Sequence, residues 1–274
     1  MSRYTHTELG KQTTYSDHYD PSLLYPISRK TARGTTNFTP ASTLRGVDLW
    51  TAYEISWLNP DGLPQVAIGE FVFPCASEFI IESKSFKLYL NSYAQSQFES
   101  LESVKENMLR DLSAAAGIEV DVILYQLSEY NGFKSISEPQ GVLIDQQPVS
   151  IDRYQPDSGL LQVDSSLIVE ETLYSHLLKS NCPVTDQPDW ASLYVTYKGP
   201  KIDPQSLLKY IVSFRQHQDF HEQCVEKIFS DILTCCGAQQ LTVYARYLRR
   251  GGLDINPFRS TCHDTVPSYR QVRQ

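Results

Sequence analysis

The same order of predicted secondary structure occurs twice along the 274 residues. In each half, two strands precede two helices and a further strand. Gly117 and Gly237, which end the second helix of each half, lie 120 positions apart, and Phe98 and Phe220 lie 122 apart. A nearly constant offset between matching landmarks indicates an internal duplication. We therefore expect an α+β chain of two tandem modules, each an antiparallel sheet with paired helices on one face.

Hydrophobic periodicity, turn residues and capping residues predict the individual elements. In the N-terminal half the expected strands are 49–57, 66–73 and 120–124, with a turn at 59–62, and the expected helices are 83–93 and 101–116. In the C-terminal half the expected strands are 173–179, 192–197 and 241–247. One helix is expected to begin after the N-cap Asp203 with Pro204 at its first position, and another near Phe220.

Composition shifts divide the chain into four parts. Residues 1–45 are polar without a sustained period and are interpreted as an N-terminal arm, and 46–127 as the N-terminal module. Residues 128–158 are polar with Pro, Gly, Ser and Gln and are interpreted as a linker, and 159–274 as the C-terminal module. Two helices leave sheet edges to be paired, so we expect modules or chains to associate into a larger sheet or barrel.

Charge and cysteine usage exclude several classes of protein. The net charge of −8 argues against a direct nucleic-acid binder, although a local basic site for a small anionic cofactor stays possible. The six cysteines form no C-x-x-C pair, and the N-terminus lacks the apolar core of a signal peptide, so we expect a reducing, cytoplasmic compartment. No apolar run approaches the roughly 20 residues that span a bilayer, so no membrane partner is expected.

The segment 180–190 places a thiol and a carboxylate on one short loop. Pro183 and Pro188 fix φ and remove backbone donors, so this loop is stiff and not helical. The thiolate of Cys182 is a nucleophile, and Asp189 could store a proton and deliver it to whatever the sulfur attacks. The alternative interpretation is a turn whose cysteine only packs.

A second acidic candidate opens the last predicted helix. Glu222 follows Phe220 and His221, and its two carboxylate oxygens suit a pair of N–H donors on a heterocycle. The alternative is that Asp219 and Glu222 form a capping box, in which case Glu222 accepts a backbone N–H.

Two basic segments are candidates for phosphate recognition. Lys84 and Lys87 share one helix face, either as a solvated flank or as a phosphate site near a helix N-terminus. Arg249-Arg250-Gly251-Gly252, expected after the last strand, combines guanidinium groups with bare backbone N–H groups. There is no G-x-G-x-x-G or Walker motif, and Cys262-His263 lacks metal-ligand spacing, so no metal site is predicted.

Four ordered motifs resemble the NADPH-dependent nitrile reductases of the QueF type, which convert 7-cyano-7-deazaguanine to 7-aminomethyl-7-deazaguanine in queuosine biosynthesis, a tRNA modification pathway. These motifs are Glu82-Ser83-Lys84-Ser85-Phe86-Lys87-Leu88-Tyr89, Ser180 to Trp190, Phe220-His221-Glu222, and Arg249 to Pro257. The resemblance is to the long, two-module branch and covers essentially all of the chain past the N-terminal arm. Asp186 departs from it, since Asn is expected there.

The resemblance implies that each half is a tunnelling fold (T-fold), that the chain forms a homodimer, and that the site lies where modules meet. It implies catalytic roles for Cys182, which forms a thioimide with the nitrile, and for Asp189, which protonates the nitrogen. The deazapurine substrate is implied to contact Ile81, Glu82, Ser83, His221 and Glu222. The cofactor NADPH is implied to contact Ser83, Lys84, Arg250 and Gly251, with Lys87 as a weaker candidate.

Two rival functions stay open. Cys182, His221 and an acid could form a thiol-dependent hydrolase of a purine-like substrate, which would release ammonia without nicotinamide. The chain could also be a non-catalytic purine- or pterin-binding module in which Cys182 is incidental.

Overall fold

The computed structural model describes residues 16, 18–33, 44–130, 136, 140–264, 266 and 269–274. The described strands are β1 (Pro26–Ser28), β2 (Arg45–Leu58), β3 (Pro64–Pro74), β4 (Phe79–Ile81), β5 (Asp121–Tyr125), β6 (Val142–Leu143), β7 (Val163–Asn181), β8 (Pro188–Ile202), β9 (Gln240–Tyr247) and β10 (Leu253–Ser260). The α-helices are α1 (Arg29–Arg33), α2 (Ser83–Ser92), α3 (Leu101–Ala116), α4 (Leu127–Tyr130), α5 (Pro204–Ser213) and α6 (His221–Cys236).

Eight strands form one sheet in the order β5-β3-β2-β10-β9-β8-β7-β6, and β1 pairs with β4 in a separate two-stranded sheet. Every pair in the large sheet is antiparallel except β6 with β7. The last strand, β10, pairs along its whole length with β2 of the N-terminal half, from Leu253 opposite Ala52 to Ser260 opposite Arg45. The two halves therefore share a continuous sheet whose junction is the β2–β10 pair.

Each half has its own hydrophobic core beneath its two longer helices. Trp50, Phe71 and Phe86 lie in the N-terminal core, while Phe214 and Phe229 lie in the C-terminal core. Full burial of one such side chain contributes about 1.5–3 kcal/mol. The predicted α+β class, with an antiparallel sheet and paired helices in each of two T-fold modules, is confirmed.

The duplication extends to the ends of the helices. The helices α2 and α5 have ten residues each, and α3 and α6 have sixteen. Gly117 and Gly237 end α3 and α6 in the left-handed conformation, with φ of 73° and 63°. The predicted offset of 120 is confirmed. The match of Phe98 with Phe220 is wrong, since Phe220 precedes α6 directly and corresponds to Ser100.

Two strand predictions in the C-terminal half need correction. The strand β7 begins at Val163, ten residues before the predicted start, and the Arg249–Gly252 segment is a turn between β9 and β10 instead of a tail after the last strand. All eight residues of β10 are buried, including Asp254, Asn256 and Arg259. Burial on both faces removes the alternation that identifies a strand, and Pro257 interrupts the strand signal further.

The described part of the N-terminal segment packs against the N-terminal module. Glu82 N–H donates to the Tyr25 carbonyl, and Arg29 N–H donates to the Glu78 carbonyl. Asp20 caps a 3₁₀ turn before the N-terminal module, and Asp157 caps a similar 3₁₀ turn before the C-terminal module. The division at residues 45, 127 and 158 stays a prediction, and these contacts favour a first module that begins near Asp20.

No helix in the described part of the chain is long and apolar enough to cross a membrane.

Candidate active site

A small cavity lies where the β7–β8 turn, the start of α6 and the end of β4 meet. It is lined by Trp50, Ile81, Ser83, Cys182, Pro183, Asp189, Asp219, Phe220, His221, Glu222, Arg250 and Ile255. Both modules contribute to this lining. Seven of the residues proposed from the sequence lie here together: Ile81, Ser83, Cys182, Asp189, His221, Glu222 and Arg250.

The turn that carries Cys182 is closed by its own backbone. The Cys182 N–H donates to the Gln187 carbonyl at 2.9 Å, and the Asp186 N–H donates to the Cys182 carbonyl at 3.1 Å. Asp186 has a φ of 55°, in the left-handed region that Asn and Asp enter more readily than other side chains. The stiff turn expected from its two prolines is present, and the Cys182 side chain is only 4% exposed.

Asp189 is the second residue of β8, a strand that takes in part of the predicted 180–190 loop, and lies between two basic groups. Its Oδ1 is 3.2 Å from Nη1 of Arg250 and 3.7 Å from Nε2 of His221. The same Arg250 Nη1 donates to Oε1 of Gln187 at 3.1 Å, which ties the guanidinium to the reactive turn. The carboxyl is therefore held beside Cys182 by contacts that fix its orientation.

His221 is the first residue of α6 and is buried against Tyr247, with the ring centroids 4.1 Å apart in an edge-to-face arrangement. Burial lowers the pKa of His221 to about 4, with Arg250 and Lys87 acting in the same direction and Asp189 opposing them. At neutral pH the imidazole is uncharged and offers one donor and one acceptor.

Glu222 is buried and does not cap its helix. Phe220 is the N-cap of α6 and the Asp219 N–H donates to the Asn181 carbonyl at 3.1 Å, so the capping box of Asp219 and Glu222 does not form; the Glu222 carboxyl instead accepts its own backbone N–H. Burial raises the pKa of Glu222 to about 8, and the neighbouring Asp48 adds to this shift. The carboxyl faces the cavity, and burial of its charged form costs free energy. A ligand with N–H donors would offset this cost and is therefore a suitable partner.

Glu82 lies at the start of α2, next to the cavity residues Ile81 and Ser83. It is fully buried as the N-cap of α2, where its Oε1 accepts the Lys84 N–H at 2.9 Å and its Oε2 accepts the Ser85 N–H at 2.8 Å. Burial raises the pKa of Glu82, although these two N–H groups oppose the shift. Glu82 is absent from the cavity lining, so its substrate contact stays a prediction.

A second, open cavity is lined in part by Lys87, Asn91, Gly251 and Gly252, the residues after Arg250. Gly251 has a φ of 63°, and a Cβ there would lie 3.3 Å from Cδ of Lys87. Glycine adopts this conformation without strain and leaves the backbone open. Two cations beside an open backbone fit a phosphate-bearing cofactor. Lys84 lines neither cavity, so Lys87 is the better placed of the two lysines.

Comparison with known proteins agrees with this geometry. A sequence profile described as the N-terminal part of nitrile reductase, 7-cyano-7-deazaguanine reductase, matches residues 15–124, and one described as QueF-like protein matches 188–265. An NADPH-dependent 7-cyano-7-deazaguanine reductase of Dechloromonas aromatica is 55% identical over 268 residues, which is 97% of this chain and 94% of that protein. The chain belongs to the QueF family.

Another QueF-family reductase, from Chromobacterium violaceum, is 52% identical over 272 residues, covering 98% of this chain and 97% of that protein. A solved structure described as the archaeosine synthase QueF-Like in the apo form is 17% identical with a TM-score of 0.31, covering 39% of this chain and 100% of that one.

Sequence reasoning missed two members of the cavity wall, Trp50 and Ile255, which lie opposite each other in the β2–β10 pair. Trp50 is 2% exposed, and its indole N–H has no hydrogen-bond partner among the described residues. An aromatic residue within a strand resembles any core residue, and no strand was predicted where β10 lies. That the indole N–H is unpaired can be seen only in the three-dimensional structure, where the residues around Trp50 are placed.

Within the described ranges, no group of three or more His, Cys, Asp or Glu side chains is placed to hold a metal ion.

Proposed function

We propose that this protein is an NADPH-dependent 7-cyano-7-deazaguanine reductase, which reduces the nitrile to the primary amine of 7-aminomethyl-7-deazaguanine in queuosine biosynthesis. One observation supports this above all others: Cys182, Asp189 and Glu222 face a single cavity built from both modules. A nucleophile, an acid and an acceptor for a heterocycle are the groups that a covalent nitrile reduction needs.

The proposed reaction begins at the thiol. The sulfur of Cys182 adds to the nitrile carbon while Asp189 gives a proton to the nitrile nitrogen, so that a C–S bond forms and the triple bond becomes a C=N–H thioimide. NADPH, when bound, supplies the two hydrides of this four-electron reduction. Once the first hydride makes the carbon tetrahedral, the C–S bond breaks, Cys182 leaves as the thiolate and an imine remains. The imine carbon takes the second hydride and its nitrogen takes a further proton from the solvent, which gives the amine.

The substrate ring is held by the start of α6. An ionised Glu222 accepts two N–H groups from the pyrimidine edge of the deazapurine, and this pairing is specific because the two carboxylate oxygens lie side by side. His221, which is uncharged at neutral pH, donates one hydrogen bond and leaves Asp189 as the acid. Ile81 and Ser83 supply the opposite wall, and Glu82 holds the end of that wall in place through its helix cap.

The cofactor is proposed to extend from this cavity over Gly251. Arg250 faces the first cavity, and Lys87 and Gly251 line the second, so phosphates would meet two cations and open backbone N–H groups. Ser83 and Lys84, at the start of α2, complete the proposed set. Burial and the nearby Arg250 lower the pKa of Lys87, and an anionic ligand would offset this by favouring the charged amine.

The deciding experiment is an assay with 7-cyano-7-deazaguanine and NADPH. We expect loss of the reduced-nicotinamide absorbance, with two NADPH consumed for each amine formed and no ammonia released. Ammonia formed without NADPH would support the hydrolase instead, and substrate binding without any turnover would support the non-catalytic module. Failure to oxidise NADPH would contradict the reductase.

We also propose that the protein works in the cytoplasm as a homodimer. All six cysteines are free, which suits a reducing compartment. Within the described chain, β5 and β6 form the two open edges of the large sheet, and Ile123 on β5 and Val142 on β6 are exposed. Open edges with apolar side chains favour pairing with a second copy. Light scattering should give twice the 31.2 kDa of one chain, and a monomer would contradict the proposal.

A further inference from the structure

A buried cluster of charged side chains lies behind Glu222, at the junction of the two modules. We call it the junction cluster, and its members are Arg29, Arg33, Asp48, Glu226 and Arg259. They come from α1, β2, α6 and β10, so the cluster ties the N-terminal segment to both halves.

The contacts within the junction cluster are short. Arg29 is 2.6 Å from Asp48 and 3.5 Å from Glu226, and Arg259 is 2.7 Å from Asp48 and 2.9 Å from Glu226. Each of these four side chains is nearly or fully buried. Burial opposes ionisation of Glu226, yet the guanidinium groups of Arg259, Arg33 and Arg29 lower its pKa to about 2. Glu226 is therefore ionised at every pH at which the protein would be assayed.

Helix α6 connects the junction cluster to Glu222. Glu222 and Glu226 are four residues apart, and residues at this spacing lie one above the other on a helix face. The charges that act most on Glu222 are Asp48, which opposes its ionisation, and Arg29 and Arg259, which favour it. Cys224 and Tyr247 also face Glu222 from α6 and β9, and both stay neutral because their pKa values are raised. His221, its neighbour in the chain, is uncharged as well.

Arg29 is held in this position by the N-terminal segment. Its Nε donates to Oγ of Ser77 at 2.9 Å, its backbone N–H donates to the Glu78 carbonyl, and the preceding strand β1 pairs with β4. None of the described residues of this segment lines the cavity. It can affect the ligand only through the groups behind the wall.

We propose that Arg29 is a positioning residue for substrate recognition, which together with Arg259 favours ionisation of the Glu222 carboxyl when the paired N–H donors of the deazapurine bind to it. Arg29 thereby belongs to the recognition machinery although it does not touch the ligand. This inference rests on the function proposed for the cavity.

The test measures binding of 7-cyano-7-deazaguanine as a function of pH in a Cys182→Ala background, where no covalent adduct forms. Quenching of tryptophan fluorescence reports binding, since Trp50 lines the cavity. Arg29→Gln removes a favourable charge, so the pH midpoint of binding should rise by about one unit and the affinity at pH 7 should fall about tenfold. Asp48→Asn removes the opposing charge and should move the midpoint downward. Comparison between variants cancels any titration of the ligand itself.

Two matched variants separate charge from general damage. Arg29→Lys keeps the charge and should restore most of the wild-type midpoint. Arg33→Gln removes a guanidinium that pairs with Glu226 but is not among the main charges on Glu222, and should leave the midpoint unchanged.

An unchanged midpoint in Arg29→Gln, or shifts in the same direction for Arg29→Gln and Asp48→Asn, would overturn the proposal. If Arg29→Gln does not fold, the sign of the shift in Asp48→Asn decides alone, because loss of packing does not improve binding at lower pH. A Cys182→Ala protein that binds no substrate at any pH would instead contradict the proposed function.

Discussion

Two hairpin turns of this protein are closed in a similar way and have opposite surroundings. The β2–β3 turn begins with Asn59 and Pro60, and the β7–β8 turn begins with Cys182 and Pro183. The closing backbone hydrogen bonds run from Asn59 to Leu63 and from Gly62 to Asn59 in the first turn, and from Cys182 to Gln187 and from Asp186 to Cys182 in the second, which is one residue longer. Each also contains one residue with positive φ, which is Gly62 in the first turn and Asp186 in the second.

The difference lies in what covers each turn. Asn59 at the start of the first turn is half-buried, whereas Cys182 at the start of the second is buried and shares its cavity with the start of α6 and Arg250. The helix starts differ in the same way, since Glu102 at the second position of α3 is exposed and Glu222 at the second position of α6 is buried. The duplicated backbone therefore supplies the geometry twice, and only the copy enclosed at the module junction can exclude water from a reacting group.

The largest effect is expected at the first residue of each turn. Cys182→Ala should reduce turnover at least about 10³-fold, because it removes the nucleophile on which the other groups depend. Intact-mass measurement with 7-cyano-7-deazaguanine and no NADPH should show an adduct in the wild type and none in this variant.

Asn59→Ala is the matched control for the other module. Oδ1 of Asn59 accepts the N–H groups of Asp61 and Leu63, so this variant should lose about 1 kcal/mol of stability and keep wild-type turnover. An adduct that persists in Cys182→Ala would show that another cysteine is the nucleophile and would break the comparison.

The next largest effect is expected at the second residue of the strand that follows each turn. This residue is Asp189 in β8 and Gln65 in β3. Asp189→Asn keeps the shape of the side chain but cannot deliver a proton, so adduct formation should slow by about 10²–10⁴-fold with little change in substrate affinity. Rapid mixing followed by mass analysis separates the rate from the affinity. Gln65→Ala should alter neither quantity, and adduct formation at the wild-type rate in Asp189→Asn would end its role as the acid.

A third prediction contrasts Glu222 with Glu102. In the ligand-free protein the pKa of Glu222, about 8, lies above its ordinary value of 4.5, so the folded state holds this proton over a pH range in which the unfolded chain has lost it. Stability therefore falls as the pH rises from about 4.5 to 8. Glu222→Gln lacks this penalty and should melt a few degrees higher than the wild type at pH 9, while the difference should vanish below pH 4.5.

The same substitution should weaken substrate binding about 10- to 100-fold, since a hydrogen bond to a charged group contributes about 1.5–3 kcal/mol. Glu102→Gln removes only an exposed pair with Lys105, and we expect less than about 0.5 kcal/mol of change at any pH. A thermal melt of Glu222→Gln that follows the wild type at every pH would show that the buried carboxyl carries no such cost.

Local signals explain which parts of this structure the sequence could predict. The helix α3 was predicted at its observed bounds because a cap at Ser100, a periodic apolar face and Gly117 are all contained within it. The strand β10 was hard to predict because it is buried on both faces and contains a proline. The junction cluster was invisible, since Arg29 and Arg259 are 230 positions apart and no periodic pattern links them. The roles of Glu222 and Arg250 came from the resemblance, and the fold then placed them at one cavity.

The smallest effect is expected at the positive-φ position, where Asp186 stands in place of the Asn that the resemblance favours. Asp186→Asn should change stability by less than about 0.5 kcal/mol, because both residues tolerate the left-handed region and either can accept the hydrogen bond from Nε2 of Gln218. Asp186→Ala should lower the stability by about 1–2 kcal/mol, since the left-handed conformation is unfavourable for a side chain that has no polar group to form a local hydrogen bond.

The charge of Asp186 should matter only through space. Its side chain is exposed, so loss of one negative charge near the Cys182 turn should favour the thiolate and speed adduct formation up to about threefold in about 0.01 M salt, and this gain should disappear in about 1 M salt. A gain that survives high salt would assign Asp186 a direct contact with the reacting groups. A gain that falls as the ionic strength rises would mean that the two hairpin turns do not differ in function at this position. Cys182 and the groups that bury it would then be the features that distinguish the two turns.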